Sequence, residues 1–194
     1  MKLFTPRFIK DLILSIVFIT ILYFLVNNPI THPIPKPQPL NWSIQLMQHP
    51  LLLGLAGHNY LVLRDAKGNV ISELHGLATD TTTGQWKYIG NNPNDKLKVW
   101  EFNKPTYYLA EKSFPGIILN EGQQDGIIEL WKKAVSCKDP INSKNIPYPP
   151  FGVNMSGDTE NSNSVAYTLS LCMGLSIKHL GLFTPGNGVN LLLK

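Results

Sequence analysis

The chain has 194 residues, 43% hydrophobic and 15% charged, enough for one domain with its own core and too few for two once an N-terminal segment is set aside. Its formal charge of +4 is uneven: Lys2, Arg7, Lys10 and Lys36 against Asp11 leave +3 in the first forty residues, and the remainder balances 13 basic against 12 acidic residues with no basic run interleaved with aromatics, so no nucleic-acid partner is expected. Cys137 and Cys172 form neither a Cys-x-x-Cys pair nor a Cys/His array at zinc spacing, so no metal or cofactor is expected.

Residues 1–11 are a short basic N-terminus. Leu12 to Val26 is a charge-free run of Leu, Ile, Val and Phe, read as a transmembrane anchor over residues 12–28. No small-x-small cleavage site follows, since the run closes in Phe24-Leu25-Val26-Asn27-Asn28-Pro29, so an uncleaved anchor is expected. Basic residues ahead of the span keep the N-terminus in the cytoplasm and send the body to the periplasmic, extracytoplasmic side of an inner membrane. There Cys137 and Cys172 are free to pair. Residues 29–41 alternate proline with other residues and form a semi-rigid linker.

The globular domain is expected over residues 42–194. Leu51 to Leu63 holds the first strand, Arg64 to Asn69 a turn, and Val70 to Gly76 the returning strand, which brings His58 and His75 toward one another at the open end of a hairpin. Residues 85–89 and 97–102 are two further strands in a second hairpin, and 107–111 an edge strand. Gly126 to Val135 has helical spacing, with Asp125 early and lysines later. Residues 138–160 read as a long loop, and long loops are usually functional. The loop delivers the chain to Asn161-Ser162-Asn163-Ser164, a polar cluster opening a helix whose apolar face is Val165, Leu169, Cys172 and Met173. Residues 180–182 and 189–193 are short apolar pieces around a Pro/Gly turn.

A histidine strand, a polar residue on the next strand and a short nucleophile opening a later helix form a recognisable order. It resembles the circularly permuted papain-like hydrolases and acyltransferases, the group of the lecithin–retinol acyltransferase family and the PPPDE-type isopeptidases. Gly57-His58-Asn59-Tyr60-Leu61-Val62-Leu63 looks like the family's histidine strand, and Asn161-Ser162-Asn163-Ser164-Val165 looks like its Asn-Cys-Asn-x-Phe helix start. Ser162 stands where the family usually has cysteine. The resemblance implies an α+β fold, an antiparallel sheet packed against two or three helices. It also implies a site in which His58 takes the Ser162 proton, His75 orients His58, and backbone N–H groups at the helix start hold an oxyanion. Because a hydroxyl stays protonated until a base removes its proton, Ser162 depends on close His58 geometry.

Plainer readings stand beside this one. Asn and Ser are favoured helix caps, so residues 161–164 also read as a cap cluster, with Ser164 as the ordinary capping residue. Glu73 competes with His75 for the orienting role, and Asn161 and Asn163 are the remaining site candidates. Cys172 reads as core or disulfide. The expectation is a membrane-anchored hydrolase or acyltransferase acting on an amide or ester, with peptidoglycan peptides, lipids or proteins as accessible substrates. The alternative is a catalytically inactive domain of the same fold that binds a ligand or partner protein at the envelope.

Overall fold

The computed structural model describes residues 41–87, 89–104, 109, 114–154, 159–177 and 179–193. The expected anchor at 12–28, all of the expected linker at 29–41 except Asn41, and most of the expected strand at 107–111 lie outside them. Among the described residues no helix is long and apolar enough to cross a membrane.

The domain is α+β. Six strands form one antiparallel sheet: β1 (Trp42–Leu51), β2 (Ala56–Arg64), β3 (Val70–Asp80), β4 (Trp86–Lys87), β5 (Asp95–Asn103) and β6 (Gly116–Gly122). The expected hairpin of residues 51–76 exists with a shifted start: Leu51 ends β1, and a tight turn at Leu52–Gly54 leads into β2. β1 and β6 were not expected as strands. β1 lies between β2 and β6, buried on both faces, and its buried Ser43, Gln45 and Gln48 interrupt the apolar pattern that such a strand usually shows. The expected second hairpin is corrected in its pairing: β4 and β5 each pair with β3. The apolar pieces at 180–182 and 189–193 form bends, turns and irregular chain, and Phe183 just beyond the first makes an isolated bridge to Ala56.

β3 is shared unevenly, and this shapes the site. β5 occupies one edge of β3 from Ser72 to Asp80, so β2 and β4 must share the other. β2 pairs there only as far as Leu61↔Leu74, and β4 only at Ala78 and Thr79. Between them β2 and β3 part, with residues 58–60 on one lip and 75–77 on the other.

Three helices cover one face: α1 (Gln124–Ser136), α2 (Lys138–Ser143) and α3 (Ser162–Cys172). α1 matches the expected helix. α2 falls in the expected loop, where Asn142 exchanges hydrogen bonds with the Val99 N–H (2.6 Å) and Val99 carbonyl (3.2 Å) and so covers the outer edge of β5. The main core joins Ile44, Leu46, Leu61, Leu74, Ala78, Leu97 and Val99 of the sheet to Ile127, Trp131, Ile141, Val165 and Leu169 of the helices. Cys137, just past α1, is disulfide-bonded to Cys172 at the end of α3.

Candidate functional site

α3 starts where it does because the cap is complete. Asn161 is the N-cap, and its Oδ1 accepts from the Asn163 N–H (2.8 Å) and the Ser164 N–H (3.4 Å); Ser164 Oγ in return accepts from the Asn161 N–H (2.8 Å). Ser164 is therefore the reciprocal member of a capping box, with Asn161 as the cap itself. The Asn161 amide nitrogen also donates to the Gly152 carbonyl (2.7 Å) and the Pro185 carbonyl (2.9 Å), which ties two distant turns to the helix start. The first-turn N–H of Ser162 goes to the Tyr148 hydroxyl, which the Ser162 hydroxyl also meets. Each of the first three helical N–H groups thus has an acceptor.

Tyr148 was not singled out by its sequence. It sits among prolines, with no periodic signal, and is carried to Ser162 by the outer edge of β5: Leu97 N–H donates to Ile146, and Tyr148 N–H donates to the Asp95 carbonyl (2.9 Å). Burial raises the Tyr148 phenol to about 12, against the lowering effect of its Ser162 contacts. It is therefore neutral at ordinary pH.

α3 enters the sheet at the parting of β2 and β3. The Asn59 N–H, on the lip that β3 has left, donates to Asn163 Oδ1 at 2.9 Å. On the other lip Gly76 lies directly beneath the helix: a β-carbon there would stand 2.6 Å from Val165 Cβ and 2.9 Å from Ser162 Cα. Glycine is required by this close approach.

On either side of that contact stand the two histidines. His58 Nε2 is 3.0 Å from His75 Nδ1, and His75 Nε2 is 3.0 Å from Glu73 Oε2, which also accepts from the Leu109 N–H at 3.0 Å. All three side chains are fully buried. The network assigns the tautomers. With Glu73 Oε2 accepting, His75 donates from Nε2 and accepts at Nδ1; His58 then donates from Nε2 and carries its lone pair on Nδ1. Burial holds His58 well below its usual value, with the charges of His75 and His49 adding, and holds His75 down to about 3, with His49 adding. Both are neutral at ordinary pH. Tyr60, opposite His75 across the lips, stacks on it with ring centroids 4.5 Å apart.

The expected residues therefore gather in two clusters. Glu73, His75 and His58 form one file; Asn161, Ser162 and Asn163, joined by Tyr148, form the other. Alternation along β3 sends Gly76 toward α3 and sends His75 and Glu73 to the other face, so the clusters meet only through the parting, by way of Asn59 and Gly76. Glu73 and His75 do not compete for one position, because they stand in series: Glu73 meets His75, and His75 meets His58. The N–H groups expected to hold an oxyanion are occupied, two by Asn161 and one by Tyr148.

Among the described residues no group of three or more His, Cys, Asp or Glu side chains could hold a metal ion. A scan against protein-family models finds no match for this chain, and searches of curated proteins and of solved structures find none either.

Proposed function

We propose that this chain is a membrane-anchored envelope hydrolase or acyltransferase of the permuted papain-like kind, acting on an amide or ester bond through Ser162. The observation that carries the reading is the file Glu73–His75–His58, three buried groups in a hydrogen-bonded series that ends on the residue next to the Asn59–Asn163 contact. In this reading the β2–β3 parting opens on substrate binding, so that His58, on the far face of the sheet from α3, reaches Ser162 Oγ, which attacks the carbonyl carbon while its proton passes to His58. The charge that His58 gains is shared with His75 and Glu73. The Ser162 N–H becomes an oxyanion donor when the substrate carbonyl takes the place of the Tyr148 hydroxyl. His58 then protonates the leaving group, and water or an acceptor nucleophile releases the acyl group from Ser162. The Cys137–Cys172 disulfide supports an oxidising, extracytoplasmic location for the domain, with residues 12–28 as its anchor. Peptidoglycan peptides, lipids and proteins are the substrates within reach there.

A second reading, a catalytically inactive domain of the same fold that binds a ligand or partner protein, is favoured by one observation. Ser162 is buried, and both its hydroxyl and its N–H are engaged by Tyr148. Turnover of activated ester and amide substrates by the full-length protein separates the two. On the catalytic reading Ser162→Ala and His58→Ala each abolish turnover, and Ser162→Ala leaves the thermal melt nearly unchanged. Full activity in either variant rejects the assignment, as does an inert wild-type protein whose Ser162→Cys variant is inert as well.

A further inference from the structure

Four non-glycine residues among those described have left-handed backbone: Leu52 (φ 49°), Leu53 (φ 59°), Asn145 (φ 50°) and Phe151 (φ 56°). Asparagine adopts this conformation readily, but leucine and phenylalanine do so against steric resistance. These three apolar side chains gain no burial from it. Leu53 is 73% exposed and Phe151 71%, and Leu52 is also exposed. Backbone strain spent on displaying large apolar side chains to solvent is the reverse of what a folding core requires, and strain of this kind concentrates where a surface is used.

The turns that carry them converge. Leu55 continues the Leu52–Gly54 turn; Ala56 bridges to Phe183, whose carbonyl accepts from the Gly57 N–H at 2.9 Å, and both Leu55 and Phe183 are exposed. Two residues beyond Phe183, the Pro185 carbonyl is bound by Asn161; one residue beyond Phe151, so is the Gly152 carbonyl. Five exposed apolar side chains thus sit on three turns tied to the residue that caps α3. The stretches bearing them, 41–63, 145–157 and 179–193, contain no Asp, Glu, Lys or Arg.

We infer that Leu52, Leu53, Leu55, Phe151 and Phe183 form an apolar rim that seats the domain on the surface of a lipid bilayer, with the N-terminus of α3 beside the lipid. A rim free of formal charge suits hydrocarbon and loses no ion hydration on insertion. The chain outside the described residues bears on the choice of occupant. Leu12 to Val26 is apolar and uncharged, and the residues between it and Trp42 have a contour of roughly 50 Å, longer than the ~33 Å that β1 runs from Trp42 to the rim. The tether is therefore long enough to let the rim reach the bilayer that holds the anchor. This inference rests on the anchor in the proposed function, and not on Ser162 chemistry.

The test uses full-length protein reconstituted in phosphatidylethanolamine/phosphatidylglycerol vesicles. The native cysteines are paired, so a polarity-sensitive fluorophore attaches selectively to a single introduced thiol in Leu53→Cys, Phe183→Cys or, at the far end of β2, Lys67→Cys. Blue-shifted emission at 53 and 183, quenched several-fold more strongly by acyl-chain nitroxide than at 67, is the expected result. Weak, equal quenching at all three positions overturns the inference. So does a blue shift that lipid nitroxide does not quench, which means that a second copy covers the rim. Alkaline carbonate extraction tests the anchor separately: release of the protein into the supernatant rejects the anchor, while the fluorophores still report whether the rim meets added vesicles.

Discussion

His58 Nε2 and His75 Nδ1 stand 3.0 Å apart across the lips of a sheet whose strands have parted, and neither ring is reached by water. The pair has a thermodynamic consequence. Burial lowers both rings, His75 from 6.5 to about 3, so in acid the unfolded chain binds protons that the native chain refuses. Between about pH 6.5 and pH 3 the unfolded state holds more protons, so stability falls as pH falls through that window and is flat above it. Thermal melts of the wild type from pH 7 to pH 4 are expected to show this loss, and His75→Gln is expected to reduce it, leaving the part due to buried His58. A wild-type melt independent of pH over that range contradicts the buried, neutral pair.

Gly76 carries the close approach between β3 and α3. Gly76→Ala places a methyl group 2.6 Å from Val165 Cβ and 2.9 Å from Ser162 Cα, and the helix backbone cannot yield as a flexible side chain would. The expected cost is about 1–3 kcal/mol, as for other overpacked sites, read from denaturant unfolding. An unchanged midpoint means that α3 does not sit in the parting.

Asn161 makes a sharper case than an ordinary cap. Aspartate usually caps as well as asparagine. Here the amide nitrogen donates to the Gly152 and Pro185 carbonyls, so Asn161→Asp would set a carboxylate oxygen against both. Asn161→Asp is expected to be destabilised by at least about 1–3 kcal/mol, the cost of leaving buried partners unsatisfied. A melt equal to that of the wild type rejects the role assigned to its amide nitrogen.

The disulfide joins residues 35 apart and ties the end of α3 to α1. Loop-closure entropy puts its contribution at about 4 kcal/mol, as an upper figure. Urea unfolding with and without reductant measures it, and equal midpoints would mean that the two cysteines are not paired in the native protein.

Much of the site was legible because its residues carry local signals. Asn161 to Ser164 has the composition of a helix start, and the turn at 64–69 places His58 and His75 on neighbouring strands. The rest depends on contacts between distant parts of the chain. β1 was missed because Ser43, Gln45 and Gln48 are polar yet buried, so the strand lacks its usual pattern. Tyr148 lies among prolines, and only the pairing of 146–148 along β5 brings it to Ser162. The parting of β2 from β3 has no sequence signal, since it arises where β4 takes over the edge of β3. Periodicity shows which face a residue takes, but not where two strands separate.

The most direct test of the central claim is the reaction of the full-length protein with a fluorophosphonate, followed by mass spectrometry of the labelled peptide. A serine activated by a neutral histidine forms a stable phosphonyl adduct, and an ordinary buried cap serine does not. We predict one adduct per chain, on Ser162, lost in Ser162→Ala and greatly slowed in His58→Ala and Glu73→Gln. An unlabelled wild-type protein, or labelling that persists in Ser162→Ala, contradicts a catalytic Ser162.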